Sequence, residues 1–295
     1  MKIEDIKILH GENKHQNATI EINDKMIDYE ASTELSYIDI LSISKGLDVI
    51  SEFYDVKAAC TIRGNSICAV ALAPSLAGAV EKTMDSNPID FINSTIVVSS
   101  EVDSEIVKFL KNTNIIVAPS FTKNALEYLN NHSIPYVTIK TPLKDYKKYL
   151  SNKTIETPLG TLIQAPNLSE LSKDDFKVAT KQKPTVEQIE DAVFAWKIAK
   201  HNISQALIVA KDLKTVAISQ GLRSASIEFA LDYACDMSKD AILASDLPVT
   251  IHDVDVAAQG RISLIIVPFA TKDIIEKADK YSIALITTGI TNILY

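Results

Sequence analysis

A chain of 295 residues, 46% hydrophobic and 23% charged, has an ordinary globular composition and enough length for one large domain or two smaller ones. Its net charge of −8 argues against a nucleic-acid partner, because phosphate binding needs a basic surface. Cys60, Cys68 and Cys235 form no CxxC, which fits reduced thiols in a cytoplasm, and no apolar run approaches the roughly 18–20 residues of a membrane span. The polar start, MKIEDIKILHGENKHQ, lacks the apolar core of a signal peptide. With 8 glycines and neither GxGxxG nor GxxxxGK[ST], the chain shows none of the common phosphate-cradling loops.

Short β-branched runs alternate with amphipathic stretches, the pattern of an α/β sheet covered by helices. Strands are predicted over 58–62, 66–73, 94–100, 114–120 and 134–140, with helices over 75–86, 104–112 and 121–132. The segment 141–185 is rich in Lys, Ser, Thr, Asp and Pro and reads as a join, with one small apolar piece at 158–166. Its lysines at 144–148 read as a solvated face. A helix then begins at Thr185, a residue that caps well, with Glu187 and Glu190 in its first turns. The plan repeats with strands over 206–212, 214–219, 241–245, 264–269 and 283–289, and helices near 224–237, 253–259 and 271–281.

At a constant offset of 149, Pro119 matches Pro268, Thr122 Thr271, Lys123 Lys272 and Glu127 Glu276. Ser133 and Ser282, Ile134 and Ile283, and Thr138 and Thr287 continue the same register. Such an ungapped set favours an internal duplication over chance likeness of strand–helix–strand units.

Ordered blocks carry a family resemblance: HGENKHQ (10–16), ELSYIDIL (34–41), IIVAPSFTKNALEYL (115–129), PTVEQIEDAVFAWKIAKH (184–201) and ASDLPVTIHD (244–253). They resemble the AICAR transformylase family, the formyl-transferring part of the bifunctional purine enzyme that also carries IMP cyclohydrolase. The resemblance implies a duplicated cytidine-deaminase-like three-layer α/β/α fold, with repeats over 1–150 and 184–295 joined by 151–183. It also implies a homodimer, or a heterodimer with a related subunit, with active sites at the interface. The cyclohydrolase domain that precedes this region in the family is expected to be absent. The expected reaction moves a formyl group from 10-formyltetrahydrofolate, a cosubstrate rather than a bound cofactor, to the 5-amino group of AICAR in purine synthesis.

That amine is a poor nucleophile, so a base must take its proton while donors hold the oxyanion and the phosphate. Where the family has Lys-His-Asn, this chain has Arg63, Gly64 and Asn65. Arg63 keeps a charge but cannot shuttle a proton near neutral pH, and Gly64 has no side chain; Arg63 and Asn65 are the residual catalytic candidates. The family's opening Arg-Tyr is Leu9-His10, its Phe-Gly-Gly is Ile92-Asn93-Ser94, and its Gly-rich segment is AISQGL (217–222). Its Pro-Gly-Gly-Ser is Pro268-Phe269-Ala270-Thr271, and its terminal Arg-x-Phe-x-His is Thr291 to Tyr295. The resemblance leaves His10, Asn114, Ser204, Asp246 and Asp253 as substrate-binding candidates, with Asp253 matching a residue near the folate. Glu12, Asn13, His15 and Gln16 read as partners that stabilise the fold, and His132 and His201 as residues at helix ends.

No zinc-deaminase ligand set and no GxSxG nucleophile motif occurs. Two readings stand: a divergent transformylase with impaired activity, or a non-catalytic paralogue acting as a dimerising or ligand-binding subunit.

Overall fold

β-Branched and small apolar runs build the sheet, and capped amphipathic segments cover it. The computed structural model describes residues 8, 10–21, 25–171, 175–221 and 225–295. The first half contains β1 (Tyr29–Ala31), α1 (Tyr37–Ile50), β2 (Ala58–Arg63), β3 (Ser66–Leu72), α2 (Leu76–Ser86) and α3 (Pro88–Phe91). It continues with β4 (Thr95–Val98), β5 (Ile115–Ala118), α4 (Lys123–Asn131) and β6 (Tyr136–Ile139). A hairpin of β7 (Lys153–Thr157) and β8 (Gly160–Gln164) lies in the join. The second half has β9 (Lys177–Val178), α5 (Val186–Ala199), β10 (Leu207–Lys211), β11 (Lys214–Ser219), α6 (Ser226–Ala234) and β12 (Ile242–Ser245). It ends with α7 (Ile251–Gln259), β13 (Leu264–Val267), α8 (Lys272–Lys280) and β14 (Ala284–Thr287).

One mixed sheet runs in the order β1-β6-β5-β4-β2-β3-β11-β10-β12-β13-β14-β9. The β2–β3 and β10–β11 hairpins meet at its centre, where Lys214 pairs with Ala71. Outward from each hairpin the pairing sense is the same: antiparallel, then parallel twice, then antiparallel at the edge. Each hairpin also shifts register once, between Thr61 and Ile62 and between Val209 and Ala210.

Alternate strand residues feed opposite faces, as a pleated strand requires. Cys60, Ile62, Val97 and Val117 pack with Ile43, Leu47 and Ile50 of α1 and Phe194, Trp196 and Ile198 of α5. Ala59, Ile96, Val98 and Ile116 face Ala79 and Val80 of α2 and Leu129 of α4. Val209, Leu243 and Ile265 face α6, α7 and α8. The result is a three-layer α/β/α arrangement, and no helix among the described residues is long and apolar enough to cross a membrane.

The expected helix over 104–112 is not formed; a single 3-10 turn, Val107–Phe109, stands there. Asp103 Oδ1 accepts from the amides of Glu105 and Ile106, which starts a turn, but Leu110 N bonds back to Val107 O and tightens it. The predicted start at Thr185 holds: its hydroxyl accepts from Gln188 N, and the Gln188 side chain returns to the Thr185 amide. A capping box of the same kind, made by Ser36 and Asp39, opens α1.

Candidate functional site

β2 ends at Arg63, and Gly64 and Asn65 turn the chain back into β3. Gly64 has a φ of +61°, the left-handed region that glycine adopts without a Cβ penalty. The Ser42 hydroxyl of α1 donates to its carbonyl and fixes the turn. A Cβ built on Gly64 would meet no heavy atom within 4 Å, so the space beside the turn is open. Arg63 Nη1 donates to Asp90 Oδ1 at 2.9 Å. Asp90 is itself held by Asn87, which accepts from its amide and donates to its Oδ2. The guanidinium is thus drawn toward α3, and Asn65 is exposed.

A cavity of about 200 Å³ opens beside this pair, lined by Ser66, Cys68, Asn87, Asp90 and Tyr233 among others. Burial, with the Asp90 charge adding to it, pushes the Cys68 thiol up to about 12 despite Arg63 nearby. At neutral pH it is a protonated thiol and no nucleophile.

Ser204 and Asp246 form a second, buried unit. Ser204 Oγ donates to Asp246 Oδ2 at 2.5 Å, and Asp246 Oδ1 accepts from Ala206 N at 2.8 Å. Ser204 Oγ also accepts from Leu294 N, and Ser204 N donates to Leu294 O, which pins the segment after β14 to the site. Asp246 is fully buried and Ser204 nearly so.

The two units share one end of the sheet. Ile62 pairs with Thr95 beside Arg63, while Leu207 pairs with Ser245 and Ser219 beside Ser204 and Asp246. Gln220 bridges them: its Oε1 accepts from Ile203 N, and its Nε2 donates to Ser66 Oγ. Asn114 immediately precedes β5 at the same end, since Thr95 pairs with Ile115. Its amide group donates to Asp39 Oδ1 at 2.8 Å and so braces the N-terminus of α1.

Asp253 stands in the first turn of α7, where its Oδ2 accepts from Thr250 N at 2.7 Å and Thr250 Oγ1 at 2.9 Å. The carboxylate is a helix cap. His252, beside it, pairs with Glu228 on the surface. His10 Nδ1 lies 2.6 Å from Gly11 O. Among the described residues no hydrogen bond joins His10, Asn114 or Asp253 to Arg63 or to the Ser204–Asp246 pair. Asn13 and Gln16 bond each other, while Glu12 and His15 are exposed. Leu9 and Leu222, which belong to two of the segments that depart from the family pattern, lie outside the described residues.

One cluster escaped the sequence reading. Glu52, in the turn after α1, accepts from Lys200 and Lys147 at 3.1 Å each, and His201 Nε2 lies 3.4 Å away, an ion-pair distance rather than a hydrogen bond. The side chains of Glu52 and Lys200 are only 6% and 7% exposed. Burial raises the Glu52 carboxyl, but His201, Lys200 and Lys147 outweigh it and hold the group well below the carboxylate range. Partners separated by 148 residues leave no local sequence signal. His201 is therefore not merely a residue at a helix end. His132 is one: it caps α4 and stacks on Tyr128. Gln205, buried beside Ser204 and bonded to Ser245, also went unread. No three His, Cys, Asp or Glu side chains among the described residues converge in a way that could hold a metal ion.

The family model described as "AICARFT/IMPCHase bienzyme" matches residues 2–232. Among curated relatives, the "Bifunctional purine biosynthesis protein PurH" of Oceanobacillus iheyensis is 30% identical over 98% of this chain and 59% of its own length. The protein of the same name from Caldicellulosiruptor bescii is 32% identical over 95% of this chain and 57% of its own length. The chain thus spans somewhat over half the length of the curated relatives it matches. A solved structure titled "Acinetobacter baumannii RibD, form 2" superposes with a TM-score of 0.25 at 10% identity, over 34% of this chain and 33% of that chain, which is too little for any argument.

Proposed function

This chain belongs to the AICARFT/IMPCHase bienzyme family, and we propose that it is a transformylase-type protein of purine (IMP) biosynthesis whose formyl-transfer activity is impaired. The observation that carries the reading is the β2–β3 turn. The family's chemistry needs a base on the AICAR amine as the C–N bond forms. At Gly64 there is no side chain, and the space where one would project is open. Arg63 keeps its proton at neutral pH and is paired with Asp90. Loss of a general base alone costs ~10²–10⁴ in rate. Asp253 suits its capping bond to Thr250 better than a contact to 10-formyltetrahydrofolate, so no step is assigned through it.

The fold is read as two cytidine-deaminase-like repeats over 1–150 and 184–295, with 151–183 between them. The shared strand order, the helices α1 and α5 of equal length, and capping boxes at Ser36 and Thr185, 149 residues apart, support that reading. The working form is a homodimer or a pair with a related subunit, in a cytoplasm. A second reading, a non-catalytic partner subunit, is favoured by one contrast: the buried Ser204–Asp246 bonds that hold the fold persist while the position of the base is vacant of any side chain.

Formyl transfer to AICAR, assayed on the purified protein, tests the proposal. The double variant Arg63→Lys/Gly64→His is expected to raise the rate at least about tenfold, because it returns a base worth ~10² or more. Histidine is among the side chains that tolerate the left-handed φ of this position. A parent with ordinary turnover, and no gain in the variant, would overturn the impairment. Calorimetric titration with AICAR and a folate analogue separates the two readings: binding of both supports the impaired enzyme, and binding of neither by a folded protein supports the partner subunit.

A further inference from the structure

The buried cluster around Glu52 borders a cavity of about 190 Å³ that shares no residue with the β2–β3 turn or with the Ser204–Asp246 pair. Trp196, Lys197 and Lys200 reach it from the end of α5, Lys147 from a 3-10 segment (Leu143–Tyr149), and Asn292 from the chain after β14. The space exceeds the roughly 150 Å³ of a cavity that holds benzene, so a ligand of about six heavy atoms fits.

The hydrogen-bonding groups left over in this cavity are donors. Trp196 is 2% exposed and Asn292 4%, yet neither the indole N–H nor the Asn292 amide nitrogen has an acceptor in the chain. The Asn292 carboxamide oxygen already accepts from Asn167 Nδ2 and Ser169 Oγ, so the nitrogen is its spare end. Neither nitrogen is sealed in the interior, so both open onto the cavity. The ammonium groups add to them, since each carries three donors. Lys200 Nζ donates to Glu52 Oε1 and Ser169 O, and Lys147 Nζ to Glu52 Oε2 and Glu170 Oε1. Lys197 Nζ donates to the Glu52 carbonyl. Each lysine thus keeps an N–H for a ligand, while both carboxylate oxygens of Glu52 are taken.

Charge points the same way. Three ammonium groups face one buried carboxylate, an excess that a dianion balances. The other two carboxylates, Glu170 and Asp55, are exposed at the mouth, where water screens them. Positive charge held away from water is costly until an anion offsets it. We infer that this cavity binds a small oxyanion of phosphate size and charge. Trp196 Nε1 and Asn292 Nδ2 donate to it from within, and Lys147, Lys197 and Lys200 neutralise it. The shared chemistry is a phosphate group, free or on a small monoester.

Trp196 is the sole tryptophan of the chain, so its fluorescence reads the site directly. The purified protein is titrated at neutral pH and constant ionic strength with inorganic phosphate, with glycerol 3-phosphate, and with sodium chloride. The expected result is a saturable change in Trp196 emission with a dissociation constant of about 1 mM or tighter, absent with chloride. The tighter of the two phosphates identifies the source. Asn292→Asp keeps the acceptor for Asn167 and Ser169 but puts a carboxylate in place of the donor, and should raise the constant at least about tenfold. Lys197→Gln, at a half-buried position, should raise it roughly threefold or more, and carries the test if Asn292→Asp fails to fold. No saturable change in the folded parent, a change equally produced by chloride, or a constant unmoved in the folded variants would overturn the site.

Discussion

Asp246 shows how a residue in a candidate site serves the fold. Both of its carboxylate oxygens are occupied, by Ser204 Oγ and Ala206 N, in a fully buried setting. Asp246→Ala would leave a buried amide and a hydroxyl without their acceptor, and is expected to cost about 3 kcal/mol in denaturant unfolding. A loss below about 0.5 kcal/mol would show that the pair is solvated and free for a ligand. Glu52 makes the comparable prediction for pH. Its carboxyl is depressed below the ordinary value of 4.5. A depressed acid contributes stability that is full above the unfolded value and falls away as the pH drops below it. Stability should therefore decline from about pH 5 downward, and Glu52→Gln should flatten that decline when unfolding is followed from pH 6 to pH 3. An unchanged slope would mean that other carboxylates set the acid limb. Arg63 and Gly64 were legible as a departure because a family pattern existed to depart from. The Glu52–Lys200 pair was not, since nothing in either local segment names its partner.

At the scale of elements, helix α1 is the instructive case. It presents Ile38, Ile40, Leu41, Ile43, Leu47, Val49 and Ile50, apolar side chains around most of its circumference, so no narrow stripe marks it as a helix. Its identity rests on the Ser36–Asp39 capping box and on burial between the sheet and the turn that holds Tyr146, which bonds Asp48. Gly46 is where α1 lies closest to β4: an added Cβ would overlap the side chain of Val97. Gly46→Ala should destabilise by about 1–3 kcal/mol through overpacking, although alanine is the better helix former. Thermal unfolding that matches the parent would mean that the helix can shift away freely. Strands over 58–62, 66–73 and 264–269 were readable because β-branched runs between turn residues have few other uses. Segment 104–112 misled because its apolar spacing fits one helix face, while the bond from Leu110 N to Val107 O closes it as a single 3-10 turn. The β7–β8 hairpin showed in sequence only as a small apolar piece, since its strands lack the buried face that gives a period of two.

At the scale of the molecule, one sheet joins the two halves through β3 and β11, and the hairpin turns of the first half face the Ser204–Asp246 unit of the second. Of the residues matched at offset 149, Thr122 and Thr271 stand at equivalent points, as the N-caps of α4 and α8. The central claim is that the family scaffold is intact while the catalytic turn is dismantled. Steady-state formyl transfer from 10-formyltetrahydrofolate to AICAR, by the purified protein at neutral pH, tests this most directly. The expected rate lies at least about 100-fold below the ~10 s⁻¹ typical of enzymes. Turnover near that ordinary value, without a base at Gly64, would contradict the account.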